Sequence, residues 1–186
     1  MSQQQKADTS ASKSTSQETP QETPAADTLN QQLGVLTRRE VEARILQPFV
    51  KALTVKFGQE EVLEVLRDTV INAAKEVGST MRETSPDASM SAFASHWEPW
   101  FRGGALEVDT LTQTESEWRF NVTRCRYAEL YRSLGMADLG ATLSCNRDAA
   151  LVEGFAEDIA FTRSQTIMQG ASHCDFHYQK KKTSET

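Results

Sequence analysis

The chain has 186 residues, a formal charge of −6 and 38% hydrophobic content. That length and apolar fraction suit one domain with a core of its own, and the acidic balance excludes general nucleic-acid binding, because phosphate contacts require a basic face. No apolar run approaches the ~20 residues of a membrane span and the start lacks the basic-then-apolar pattern of a secretion leader, so the expected location is the cytoplasm, without a membrane partner.

Residues 1–30 are Ser, Thr, Gln, Glu and Pro with almost no large apolar side chain, and Gln-Glu-Thr-Pro occurs at both Gln17 and Gln21. Such a stretch cannot bury enough surface to offset its ordering entropy and is expected to be a disordered tail. One domain is expected over residues 31–179, followed by a polar end at 180–186 in which Lys180, Lys181 and Lys182 form a solvated basic run.

Order is expected from about Leu33. Thr37 followed by Glu40 has the spacing of a capping box, and Val41, Ile45 and Phe49 then share one helical face. Pro48 inside that pattern predicts a kink or a split. After Gly58, the spacing of Val62, Leu66, Val70, Ala73 and Val77 predicts a long amphipathic helix stopping at Gly78. A third helix, capped near Asp87 or Ser89, buries Met90, Phe93, Ala94 and Trp97; His96, Trp97 and Trp100 are expected in the core or lining a pocket.

Beyond Gly103-Gly104 the alternation of Leu106, Val108 and Thr110, a polar turn at Thr114 to Ser116, and the alternation of Trp118, Phe120 and Val122 predict a β-hairpin. Asn121 lies on its polar face. Tyr127, Leu130, Tyr131 and Leu134 then mark a helix ended by Gly135. A short helix from Leu139 is expected to run into a second through Glu153, with Gly154 as its stop, and Ile159 to Met168 reads as a strand.

The densest chemistry lies in Gln169-Gly170-Ala171-Ser172-His173-Cys174-Asp175-Phe176-His177-Tyr178. Two imidazoles, a thiol and a carboxylate fall within five residues there, a combination that can move protons, attack carbon or bind metal. Cys174 to Tyr178 reads as a strand, paired with Ser164 to Met168 across the glycine loop. On a regular strand His173, Asp175 and His177 share one face and Cys174, Phe176 and Tyr178 the other. Cys174 and His173 therefore point into one pocket only if the backbone bulges. The His/Asp/His face could supply three metal ligands with an open position.

The cysteines Cys125, Cys145 and Cys174 are odd in number and widely spaced. They read as free thiols in a reducing compartment rather than a disulfide framework, and each alone is more often a small buried hydrophobe than a nucleophile.

The C-terminal half resembles the L-2-amino-thiazoline-4-carboxylic acid hydrolase family. Asn121-Val122-Thr123-Arg124-Cys125-Arg126-Tyr127-Ala128-Glu129, Leu143-Ser144-Cys145-Asn146-Arg147-Asp148, Gly154-Phe155 and Gly170-Ala171-Ser172-His173-Cys174-Asp175-Phe176 carry the likeness. It extends by helix layout back to Leu33, and it departs at His177, where arginine is expected. The resemblance implies addition of water to C2 of a cyclic amidine ring, opening 2-aminothiazoline-4-carboxylate to an N-carbamoyl cysteine.

That reaction needs a nucleophile, a proton donor for the leaving atom and a cation for the ring carboxylate. Cys174, then Cys145, are the nucleophile candidates; alternatively His173 activates water, oriented by Asp175 or Asp148. Arg124 or Arg147 would hold the carboxylate, with Asn121, Cys125 and His177 as further binding residues. A small-molecule substrate is expected, with no cofactor, and the chain acts alone or as a homo-oligomer. The competing class is a ligand-binding or thiol-based sensor domain without turnover. The fold expected is α+β: an N-terminal helical layer packed on a mostly antiparallel sheet built from the central hairpin and the C-terminal strands.

Overall fold

The computed structural model describes residues 27–182. The expected disordered tail therefore lies outside the described residues except for its last few, and these begin the fold: helix α1 spans Leu29–Leu33 and buries Asn30. Order starts earlier than the hydrophobic pattern indicates because Asn30 accepts a hydrogen bond from Arg38 at 3.2 Å, a polar tether that a search for apolar spacing misses.

Helix α2 (Val35–Phe57) starts directly after Gly34, so Thr37 lies within its first turn rather than capping it. The helix continues through the exposed Pro48, whose flanking turns are anchored by the buried Ala43 and Val50, and it is not split. Helix α3 (Gln59–Glu83) likewise runs past Gly78. The glycine serves contact and not termination: a Cβ at Gly78 would meet the Leu151 carbonyl, and one at Gly154 would meet the Lys75 carbonyl. The two glycines let α3 lie backbone to backbone against α8 (Arg147–Phe155), so Gly154 sits inside that helix instead of ending it.

Helix α4 (Met90–Ser95) is capped by the Ser89 hydroxyl, which accepts from the Ala92 amide at 3.1 Å, and the short α5 (Glu98–Phe101) follows. Strands β1 (Leu106–Gln113) and β2 (Glu117–Cys125) form the expected hairpin. Helix α6 (Arg126–Ser133) ends before Gly135, as the pattern indicates. Helix α7 (Ala137–Gly140) passes through a single π-helical turn, Ala141–Cys145, into α8. Wide turns of this kind concentrate at functional sites because they re-aim the side chains after them.

Strand β3 (Ile159–Thr162) is shorter than expected, and β4 (Cys174–Lys180) closes the sheet. The amides of Ser164 and Gln165 bond the Asp175 carboxylate at 2.9 to 3.2 Å instead of a neighbouring strand. Thr166 then caps a 3-10 turn at Ile167–Gln169. Local side-chain acceptors thus out-compete the ladder over Ser164 to Met168, where a strand is expected. Lys180 ends β4, its amide bonded to the Ser116 carbonyl at 2.9 Å, so it belongs to the sheet and not to a free end.

The fold is α+β, with helices on one face of a four-stranded antiparallel sheet of order β1-β2-β4-β3. Val122 pairs with Cys174, Asn121 with Asp175, Phe120 with Phe176 and Trp118 with Tyr178, so the apolar member of each strand step faces the helices. Phe93 and Trp97 pack onto that face among Trp118, Phe120, Phe155 and Tyr178, with ring centroids 5.1 to 6.4 Å apart. Burying these rings is the main driving force for joining helices to sheet. Among the described residues no helix is long and apolar enough to cross a membrane.

Candidate functional site

Where the end of β2, the π-helical turn, the start of α8 and the start of β4 meet, the helical layer stands off the sheet. The space left is a cavity of about 50 Å3, room for a few waters or a small planar group. Cys125, Cys145 and Cys174 all line it, together with Ser144, Arg147 and Asp148. Each arrives by a different route: Cys125 from the last position of β2, Cys174 from the first position of β4, and Cys145 from the last position of the π-helical turn. The wider turn places Arg147 and Asp148 on the first turn of α8 beside the thiols.

Asp148 pairs with Arg163, a residue the sequence reading passed over; their side chains are 18% and 12% exposed. Arg163 also donates to the Cys145 carbonyl at 3.1 Å and lies over the Phe161 and Phe176 rings at 5.4 and 5.1 Å. A guanidinium held over two aromatic faces and a carboxylate is positioned by contacts that no local spacing announces. The signal available was a lone arginine just beyond an apolar strand end.

Burial governs the electrostatics. It pushes the Cys125 thiol up to about 11, and pushes Cys145 up as well, with Asp148 adding to the effect. Cys174 is raised by burial too, but the Ile167 amide, which donates to its Sγ at 3.2 Å, and the nearby Arg163 oppose the rise. Of the three thiols it is the one with both an amide donor and a cation favouring the thiolate. The Asp148 carboxyl is raised by burial against the pull of Arg163, which makes it a stronger proton acceptor than an ordinary aspartate.

The other expected residues lie elsewhere. β4 is regular, so Cys174, Phe176 and Tyr178 face inward while Asp175 and His177 face outward. Asn121, Asp175 and His177 border a polar groove of about 270 Å3 on the outer face of the sheet. Asp175 is occupied there: burial would raise its carboxyl, but the Ser164 hydroxyl at 2.6 Å and the Gln165 and Ser164 amides outweigh that and lower it. His177 stands 2.9 Å from Glu117, and His173 bonds Gln165 and Ser172. Neither imidazole reaches the cavity wall.

Arg124 points to solvent between Glu107 and Glu129, at 3.2 and 2.8 Å, because a bulge opposite Glu107 and Val108 breaks the alternation that turns Val122 inward, so that Cys125 and not Arg124 reaches the cavity. The segments around Arg124, Asp148 and Asp175 do meet at the cavity, through Cys125, Asp148 and Cys174, but of the three charged residues Asp148 alone lines it. His173, Asp175 and His177 each bond separate partners, and no group of three or more metal-ligating side chains occurs among the described residues. Trp97 and Trp100 line the cavity, whereas His96 bonds the Ser85 hydroxyl at 2.7 Å and packs on Phe155.

The sequence model of the L-2-amino-thiazoline-4-carboxylic acid hydrolase family matches residues 38–178. The chain belongs to that family. All three cavity cysteines and the Asp148–Arg163 pair fall within the matched stretch of this family member. No curated protein matches the chain in sequence. Among solved structures, the chain is similar to the phenol-responsive sensory domain of the transcription activator PoxR with phenol: 13% identity, 73% of each chain covered, TM-score 0.44. It is also similar to a trafficking protein particle complex subunit 3 from Naegleria fowleri covalently bound to palmitic acid: 7% identity, 78% of this chain and 96% of that one covered, TM-score 0.47. Both likenesses are distant.

Proposed function

We propose that this family member is a hydrolase that opens a small cyclic amidine of the thiazoline type, adding water at C2 of 2-aminothiazoline-4-carboxylate to give an N-carbamoyl cysteine. The observation that carries the reading is the convergence of Cys125, Cys145 and Cys174 with the Asp148–Arg163 pair on one small cavity. Burial holds all three thiols protonated at rest, so the nucleophile needs a base, and Asp148 is the carboxylate on the same wall.

In this reading Asp148 takes the proton of Cys174, and the Ile167 amide and Arg163 steady the thiolate as it forms. The sulfur bonds to C2 and the C=N electron pair moves onto the ring nitrogen. Collapse of this adduct breaks the C2–S bond of the ring, and Asp148 returns its proton to the departing sulfur. The ligand is then held on Cys174 as an isothiourea. Water adds to the same carbon, the Cys174 thiol leaves, and the urea is the product, with one water consumed overall. Arg147 lines the cavity and Arg124 does not, so Arg147 is the cation for the ring carboxylate.

Purified protein is expected to release one thiol for each 2-aminothiazoline-4-carboxylate consumed. Cys174→Ala is expected to lose at least about 100-fold in kcat/KM, and intact mass is expected to show a substrate-sized adduct on the wild type but not on this variant. Unchanged turnover in Cys174→Ala would remove Cys174 as the nucleophile. A ligand-binding or sensor domain on the same cavity differs by showing binding with no thiol release.

A further inference from the structure

The charges around the cavity do not balance. Arg39, from a helix that the sequence reading assigned only to packing, lines the cavity with its side chain 6% exposed and pairs with Glu42. Arg38 is matched by Asp27 at 2.6 Å and Arg163 by Asp148. Arg147 also lines the cavity; its Nε donates to the Leu143 carbonyl at 2.8 Å, and its terminal nitrogens have no protein acceptor among the described residues. Glu42, bonded by both Arg38 and Arg39, is thus the only carboxylate among the described residues left to answer Arg39 and Arg147 together.

A half-buried guanidinium without an anion is costly, and a protein keeps one where a ligand supplies the missing charge. Burial, and after it the neighbouring Arg39, pulls Arg147 down to about 10, which still leaves it charged at neutral pH and places the two cations in each other's field. The apolar part of the lining is built from Trp97, Trp100, Val122 and Phe176. Trp97 adds a buried indole N–H that has no acceptor among the described residues.

We propose that Arg39 and Arg147 form a subsite for the carboxylate of a small planar ligand, and that Glu42, by cancelling one of the two guanidinium charges, limits the subsite to a single negative charge. The inference rests on the hydrolase reading for its cavity but not for its chemistry. A substrate that carried two acidic groups, or none, would fit it poorly.

The test is calorimetric titration of the full chain with three thiophene probes that have no amidine carbon to attack: thiophene-2-carboxylate, thiophene-2-carboxamide and thiophene-2,5-dicarboxylate. The monocarboxylate is expected to bind about 10- to 100-fold tighter than either of the others. Arg147→Met is expected to remove that preference without changing carboxamide binding, and Arg39→Met to do the same. Should Arg39→Met fail to fold, Arg39→Lys keeps the charge and loses the fork, and is expected to weaken the monocarboxylate in part. Glu42→Gln should shift preference toward the dicarboxylate. Equal affinity for carboxylate and carboxamide, no carboxylate binding at all, or folded arginine variants with undiminished preference would each overturn the subsite. Failure of ring opening with the binding pattern intact would instead remove the hydrolase reading and leave the subsite standing.

Discussion

The two faces of strand β4 differ in what surrounds the same short run of reactive residues. Inward, Cys174 meets Arg163, Asp148 and two further thiols in a space from which bulk water is largely excluded. Outward, Asp175 and His177 border a groove open to solvent and are engaged by the Ser164 turn and by Glu117. Residue types with catalytic potential occur on both faces; burial raises the chemistry of one, while hydrogen bonding quiets the other. The density of reactive side chains in the sequence is therefore a poorer guide than the face on which each one lands.

The contrast is sharpest in stability. Arg163→Met leaves Asp148 buried without its cation, and a loss of about 3–5 kcal/mol is expected, read as a lowered urea midpoint. On the exposed side of β2, Arg124→Met breaks two solvent-screened pairs and is expected to cost under about 1 kcal/mol. Similar losses from both variants would erase the distinction between the faces.

The two aspartates should titrate with opposite sign. Asp148 has its folded value raised by burial, so its contribution to stability is full below about pH 4, near its unfolded value, and is lost as the pH rises through the folded one. Asp175 has its folded value lowered, so its contribution is present above about pH 4 and is lost as the pH falls. Urea unfolding of the wild type against Asp148→Asn and Asp175→Asn over a pH series should show wild-type stability declining relative to the first on raising the pH, and relative to the second on lowering it. Parallel curves would contradict the assignment.

Smaller effects belong to the outer face. Asp175→Ala removes the acceptor that folds the Ser164 turn and is expected to cost about 1–2 kcal/mol. His177→Ala, which loses a partly exposed pair with Glu117, is expected to shift stability by no more than about 0.5 kcal/mol.

Much of this was legible in the chain itself. The hairpin, the long helices and the alternation of Cys174, Phe176 and Tyr178 follow from apolar periodicity, but the face of α2 that the spacing marks, Val41, Ile45 and Phe49, is exposed, and the helix buries Val35, Arg39, Ala43 and Val50 instead. What escaped was set by contacts distant in sequence. Gly78 and Gly154 look like helix stops until α3 and α8 are seen touching at both. Ser164 to Met168 looks like a strand until Asp175 captures its amides. Arg39 and Arg163 have no neighbouring motif, and only the folded chain shows which arginines line the cavity. Arg124 lies within a family-like motif and two residues after the inward-facing Val122, yet points to solvent, since a bulge between them reverses the alternation, and spacing alone does not announce it.

The most direct measurement is a side-by-side kinetic comparison of Cys174→Ala and His177→Ala for ring opening of 2-aminothiazoline-4-carboxylate, followed by thiol release. The inward-facing account predicts that Cys174→Ala loses at least about 100-fold in kcat/KM while His177→Ala stays within about threefold of wild type. A folded Cys174→Ala that retains full turnover, beside a His177→Ala that is inactive, would contradict it and move the chemistry to the outer face.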